Sequence, residues 1–148
     1  MAHTRQNIRE NVKTLLTGLN TTASRVYESR VYPLGSANLP GLLIFTKSEE
    51  SEPVTIGSGT RTMLRNLSLV VEGYVKATSN FDDVVDNIAQ EVETVLANNL
   101  TLSGKAKDLY LESTEINFDG EGDQPVAVIS MNYRIQYMTI ENAPQTHV

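Results

Sequence analysis

The chain contains no cysteine among its 148 residues and only two histidines, His3 and His147. Disulfide bridges, thiolate nucleophiles and zinc sites with cysteine ligands are therefore excluded. Both histidines lie close to the ends of the sequence, where a general base is poorly held within hydrogen-bond reach of a substrate. We therefore expect a protein that is not an enzyme.

Positive charge is also scarce, since 12 Lys and Arg residues stand against 18 Asp and Glu residues and give a formal net charge of −6. Nucleic-acid binding draws most of its affinity from Lys and Arg on phosphates, so no specific nucleic-acid binding is expected. No run of 18 apolar residues is present, which predicts no membrane-spanning helix. The polar start of the chain lacks the apolar core of a signal peptide.

Hydrophobic residues make up 40% of the chain, an ordinary value for a folded protein, and the length suits one domain over residues 1–148. Apolar residues spaced by three and four predict a first helix over residues 4–19. A second helix begins after Ser79 or Asn80, with Asp82 and Asp83 in its first turn, where the helix dipole favours negative charge.

Alternating or β-branched apolar segments predict five strands, over residues 25–32, 42–45, 61–77, 109–119 and 126–139. The resulting order, α-β-β-β-α-β-β, predicts a two-layer α+β domain with a mostly antiparallel sheet and two helices packed on it. About fifteen residues of the strand over 61–77 would extend roughly 50 Å at about 3.3 Å per residue. Helices of the predicted lengths cannot cover such a strand, so uncovered sheet either faces water or packs on another subunit.

Two segments lack a regular pattern. Residues 47–60 are acidic and rich in Ser and Gly, which predicts a mobile loop, and the polar residues 141–148 predict a flexible tail. Gly57 to Thr60 lacks the Lys of a phosphate-binding loop and precedes a strand, so it is interpreted as part of the loop.

Residues 119–125 are interpreted as a hairpin connection. Their carboxylates, at Asp119, Glu121 and Asp123, are spaced like the start of a calcium-binding loop. Ser130 stands where the bidentate Glu of such a loop belongs, so a solvated hairpin is favoured. No metal and no cofactor are expected.

Five stretches carry a resemblance to a known family: Arg5 to Arg9, Leu67 to Tyr74, Asp82 to Ile88, Glu115 to Pro125 and Tyr133 to Tyr137. On these stretches the chain resembles the tail terminator proteins of long-tailed bacteriophages, the minor tail protein U family and its relatives. The resemblance spans nearly the whole chain and consists of patterns of fold without a catalytic signature.

The resemblance implies a structural role. Such proteins form a homo-oligomeric, six-membered ring on the last ring of the tail tube protein, stop tube polymerisation and present a surface to the head–tail connector or neck protein. The implied location is the virion tail, assembled in the cytoplasm of the bacterial host. An acidic ring would also let genome DNA pass its lumen without sticking, because like charges repel.

Candidate interaction residues follow by region, because the family offers no active site. The first choice for contact with the tube is the acidic loop Glu49, Glu50 and Glu52 with Arg61 and Arg65. The second choice, for a neighbouring subunit or the connector, is the hairpin at Asp119, Glu121 and Asp123. Two other functions stay open: a different neck or head-completion protein of the virion, and a non-viral α+β module that binds a small ligand.

Overall fold

The computed structural model describes residues 2–28, 39–57, 59–76, 80–119 and 126–148. Within these residues six strands form one sheet in the order β1-β2-β3-β5-β4, and β6 pairs with β5. The elements are α1 Thr4–Leu16, β1 Val26–Glu28, β2 Gly41–Pro53, β3 Thr62–Lys76, α2 Phe81–Ala97, β4 Asp108–Asp119, β5 Val126–Ile140 and β6 Ala143–His147.

This architecture confirms the predicted α+β class and its element order, to which β6 adds one strand. The short β1 runs parallel to β2, while all other pairings are antiparallel. The longest strand pair of the sheet is β3 with β5, which stays in register from Thr62 opposite Ile140 to Lys76 opposite Val126.

Two predicted irregular segments are largely strand. Residues 47–53 continue β2, because their backbone pairs with β3 as far as Pro53 opposite Met63, whatever the polarity of the side chains. The predicted loop over 47–60 is therefore wrong in its first half. The predicted flexible tail over 141–148 is wrong as well, since β6 pairs with β5 through His147 opposite Thr139.

Both helices pack on the same face of the sheet. Alternate residues of β5 from Ala127 to Tyr137 are buried there, as their period of two predicts. The apolar stripe of α2 lies against them, with Val85, Ile88 and Val92 buried in the same core. The first helix ends at Leu16, three residues earlier than predicted, where the chain turns through Gly18 at a positive φ of 96°.

The opposite face, called the open face below, carries no helix among the described residues. At the end of this face where β2 begins, Leu43 and Tyr74 form a small apolar cluster. Further along β5 the side chains are polar, and Arg134 lies 3.3 Å from Glu112 of β4. Neither helix in the described part of the chain has the length and hydropathy needed to cross a bilayer.

Each of two strands contains a register shift that reverses which side chains face the helices. The shift in β2 lies between Thr46 and Ser48, and the one in β4 lies between Leu111 and Ser113. One extra residue inverts the alternation of every residue that follows. Glu49 consequently lies opposite the buried Leu67 and faces the helices.

Candidate interaction surface

The second half of β2 and the first part of β3 form a hairpin arm, defined here by the described residues among 47–66. At its base Glu49 accepts hydrogen bonds from three side chains. Arg5 of α1 donates from Nη1 to Glu49 Oε2 at 2.8 Å, and Arg65 of β3 donates to the same oxygen at 3.1 Å. The hydroxyl of Tyr137 donates to the other carboxylate oxygen. One carboxylate thus ties together α1, β2, β3 and β5.

This base cluster is largely withdrawn from water. The Glu49 side chain is 9% exposed and that of Arg65 is 14% exposed, while Arg5 is more open at 37%. Arg65 also donates from Nε to the hydroxyl of the buried Thr139 at 2.9 Å. Burial, with the hydrogen bond to the Glu49 carboxylate, raises the pKa of Tyr137. A mostly buried ion pair of this kind adds little net stability when intact, but removing one partner is costly because the other stays buried without an acceptor.

The start of α1 joins the same cluster through His3. Its Nδ1 accepts the backbone N–H of Arg5 at 3.0 Å, so the imidazole caps the helix. Partial burial is the main cause that lowers the pKa of His3, and the neighbouring Arg5 and Arg65 add to the effect. The neutral imidazole is therefore the form that this site favours.

Beyond its base the β2 side of the arm is exposed, the β3 side is half-buried, and the arm ends in an uncharged tip with two exposed apolar side chains. All residues from Glu50 to Gly57 are exposed, and Val54 and Ile56 present 50% and 103% of their surface. Residues 54–60 contain no charged residue. Behind the tip, Arg61 is held by Glu141 at 2.7 Å. The tip can therefore be buried against a partner without removing a charge from water.

The first predicted set of site residues is divided by the fold. Glu49 and Arg65 are brought together at the base of the arm, whereas Glu50 and Glu52 pair in register with Asn66 and Leu64 and are exposed. Arg61 belongs to a separate ion pair with Glu141. The acidic run is therefore one structural carboxylate followed by two solvated ones.

Of the second predicted set of site residues, only Asp119 lies within the described residues. Asp119 is the last residue of β4, where its backbone lies opposite Val126. Glu121 and Asp123 lie outside the described residues. The role assigned to this hairpin stays a prediction.

Sequence reasoning missed a second surface, at the far edge of the sheet. A groove of about 410 Å³ runs between the end of α2 and the start of β4. Large apolar side chains are exposed on this flank, namely Leu100, Ile116 and Phe118. The sequence does carry a signal for this surface: along β4 the apolar residues move from odd-numbered positions, Leu109 and Leu111, to even-numbered positions, Ile116 and Phe118.

No triad of His, Asp or Glu side chains is arranged to hold a metal ion in the part of the chain that the structure describes. Both surfaces present apolar area, backbone edges and a few oriented charges.

Comparison with known proteins leaves the function open. No protein-family model and no curated protein matches the chain. Among solved structures, the chain is similar to one in the virion of a native gene transfer agent particle, with 11% identity and a TM-score of 0.37 over 90% of this chain and 92% of that chain. Similarity at this level does not extend to function, which must follow from the residues of this chain.

Proposed function

We propose that the protein is a structural component of a phage-like virion tail without an enzymatic role, and that it caps the tail tube as a homo-oligomeric ring of six subunits. The ring would stop tube polymerisation and offer its other side to the neck or connector protein. The observation that carries this proposal is the hairpin arm, whose strands are paired within the sheet and whose exposed, apolar tip extends beyond it.

The arm has the two properties that a docking element needs. Its base is fixed, because the Glu49 carboxylate links it to Arg5 of α1 and to Tyr137 of β5. A fixed base lowers the conformational entropy lost when the tip binds. Its tip offers Val54 and Ile56, apolar side chains of the kind that fill a pocket on a partner.

The sheet supplies further surface for assembly. Fifteen paired residues of β3 and β5 extend about 50 Å, whereas the 17 residues of α2 extend only about 25 Å. The open face carries no helix in the described part of the chain, and its polar residues suit a surface that meets water or a polar partner. Contacts between unlike surfaces of identical subunits close into a ring when the rotation between neighbours permits.

The experiment is a capping assay. Tail tube protein from the same source is allowed to polymerise with and without the purified chain, and the products are imaged by negative-stain electron microscopy. We expect short tubes with a ring at one end and blocked elongation. Native mass spectrometry of the isolated chain and of the capped tubes gives the number of subunits in the ring.

A tip variant makes the assay specific to the arm. The double substitution Val54→Ser and Ile56→Ser removes exposed apolar surface without touching the core, so it should fold normally and lose capping. The matched control is Val148→Ser, which alters an exposed apolar residue after β6, outside the arm, and should cap like the unmodified chain. Unaltered tube growth with unbound chain would refute the terminator role.

A further inference from the structure

The groove at the far edge of the sheet combines an apolar floor with a charged rim. Its floor is formed by Ala97, Leu109 and Leu111, and two carboxylates, Glu93 of α2 and Asp108 of β4, lie at its sides. Both acidic residues are exposed, and neither takes part in an ion pair among the described residues. The groove therefore favours a ligand with an apolar stem and a positive end.

The side chain of Tyr133 also lines the groove, and its hydroxyl lacks a hydrogen-bond partner in the described structure. The residue is 2% exposed. Burial, with the nearby charge of Glu93, raises the pKa of Tyr133, so the hydroxyl stays protonated and can both donate and accept. A buried polar group without a partner costs stability, and a bound ligand can supply that partner.

The strand beside the groove has a free edge. In the described part of the chain β4 pairs with β5 alone, so its other edge presents unpaired backbone groups. Exposed apolar side chains continue along it at Ile116 and Phe118. An extended peptide can add to such an edge, with affinity from main-chain hydrogen bonds and specificity from side-chain pockets.

Around this edge acidic residues outnumber basic ones, which are Lys105 and Lys107 just before β4. The 17-residue helix α2 carries five carboxylates and no basic residue. Glu115 adds a further exposed carboxylate on β4. Because charge complementarity selects among partners, the flank favours a basic segment and disfavours an acidic one.

We infer that the β4 edge and the adjoining groove bind an extended segment of a partner protein in which basic and apolar side chains alternate. The segment adds to β4, and one Arg or Lys side chain lays its methylene stem over Leu109 and Leu111. Its cation then reaches the carboxylate of Glu93 and the hydroxyl of Tyr133. The free part of β2 on a second copy is a poorer occupant, because Glu50 and Glu52 would meet the carboxylates of this flank.

This inference does not rest on the virion role, and its test needs only the isolated chain. The probe is a dye-labelled, terminally blocked peptide in which valine alternates with arginine, titrated by fluorescence anisotropy. A peptide of the same length with glutamate in place of arginine is the comparison. We expect the basic peptide to bind, with affinity that falls as salt is raised, and the acidic peptide to leave the anisotropy unchanged.

Matched substitutions locate the binding site. Glu93→Gln should weaken binding of the basic peptide about tenfold, the effect of losing one charge-assisted hydrogen bond. Tyr133→Phe should weaken it less. Glu52→Gln makes the same charge change at an exposed position of β2, three strands away from β4, and it should leave the affinity within about twofold.

Three results would overturn the inference: no binding of the basic peptide, equal binding of the acidic peptide, or equal weakening by Glu52→Gln and Glu93→Gln. Sedimentation velocity adds a fourth. If the chain self-associates, and if Glu93→Gln abolishes that association, then a second copy occupies the groove instead of a basic partner. Circular dichroism confirms that each variant is folded before its affinity is compared.

Discussion

Replacing Glu49 by Ala tests whether the base cluster fixes the hairpin arm. The substitution leaves Arg65, 14% exposed, and the hydroxyl of Tyr137 without their common acceptor. Breaking a buried ion pair by removing one partner costs about 3–5 kcal/mol. Arg5 is 37% exposed and can be solvated after Glu49 is removed, so it contributes little to the loss of stability. We therefore expect a loss of about 2–3 kcal/mol in the free energy of unfolding.

Urea denaturation followed by circular dichroism measures this loss. With an unchanged slope of about 2–3 kcal/mol per molar urea, the midpoint should fall by about 1 M. Thermal unfolding should show a Tm lower by about 6–9 °C for a chain of this size. Glu52→Ala, at an exposed position of the same strand, should change the free energy by less than about 0.5 kcal/mol. Equal effects of the two substitutions would refute the reasoning, because the buried carboxylate would then be no more important than a solvated one.

Three further perturbations probe the cap, the core and the groove. The pKa of His3 is lowered in the folded state, so the stability that its neutral cap contributes is present above pH 6.5 and is lost as the pH falls toward the folded value. In urea titrations at several pH values, His3→Asn should keep a cap and remove this part of the pH dependence; an unchanged profile would argue against it. Gly73→Ala places a Cβ 3.0 Å from methyl groups of Ile88 and Ile129, and should cost about 1–3 kcal/mol in the same assay, whereas equal stability would mean that the core yields freely. Tyr133→Phe removes a buried hydroxyl that has no hydrogen-bond partner in the described structure, so it should leave the Tm unchanged or raise it. A marked fall in Tm would show that the hydroxyl does have a partner.

The sequence predicts the fold where hydrophobic periodicity is strong. The stripe of α2 and the alternation along β5 each give the buried face correctly, because helix and strand periods are set by the backbone. The continuation of β2 through Lys47 to Pro53 was not predictable in this way. Those residues are polar, and they are strand because β3 offers them backbone partners, which is a non-local cause.

The candidate site was predictable only as a region. The sequence singles out Glu49 and Arg65, yet nothing local distinguishes Glu49 from Glu50, which stands beside it. Arg5 joins the same cluster from 44 residues away, and Tyr137 from 88 residues away. Such contacts depend on how the strands pair and on where α1 lies, so spacing along the chain does not reveal them.

The two register shifts decide what the two surfaces present. Without the shift in β2, the alternation that places Thr46 on the helix side would turn Glu49 toward the open face, and Arg65 would lose its buried acceptor. Without the shift in β4, Ile116 and Phe118 would point away from the helix side and the flank beside α2 would lose its apolar surface. The extra residue in β2 therefore places the Glu49 carboxylate at the base of the arm. The extra residue in β4 places apolar side chains beside the edge that we assign to a partner.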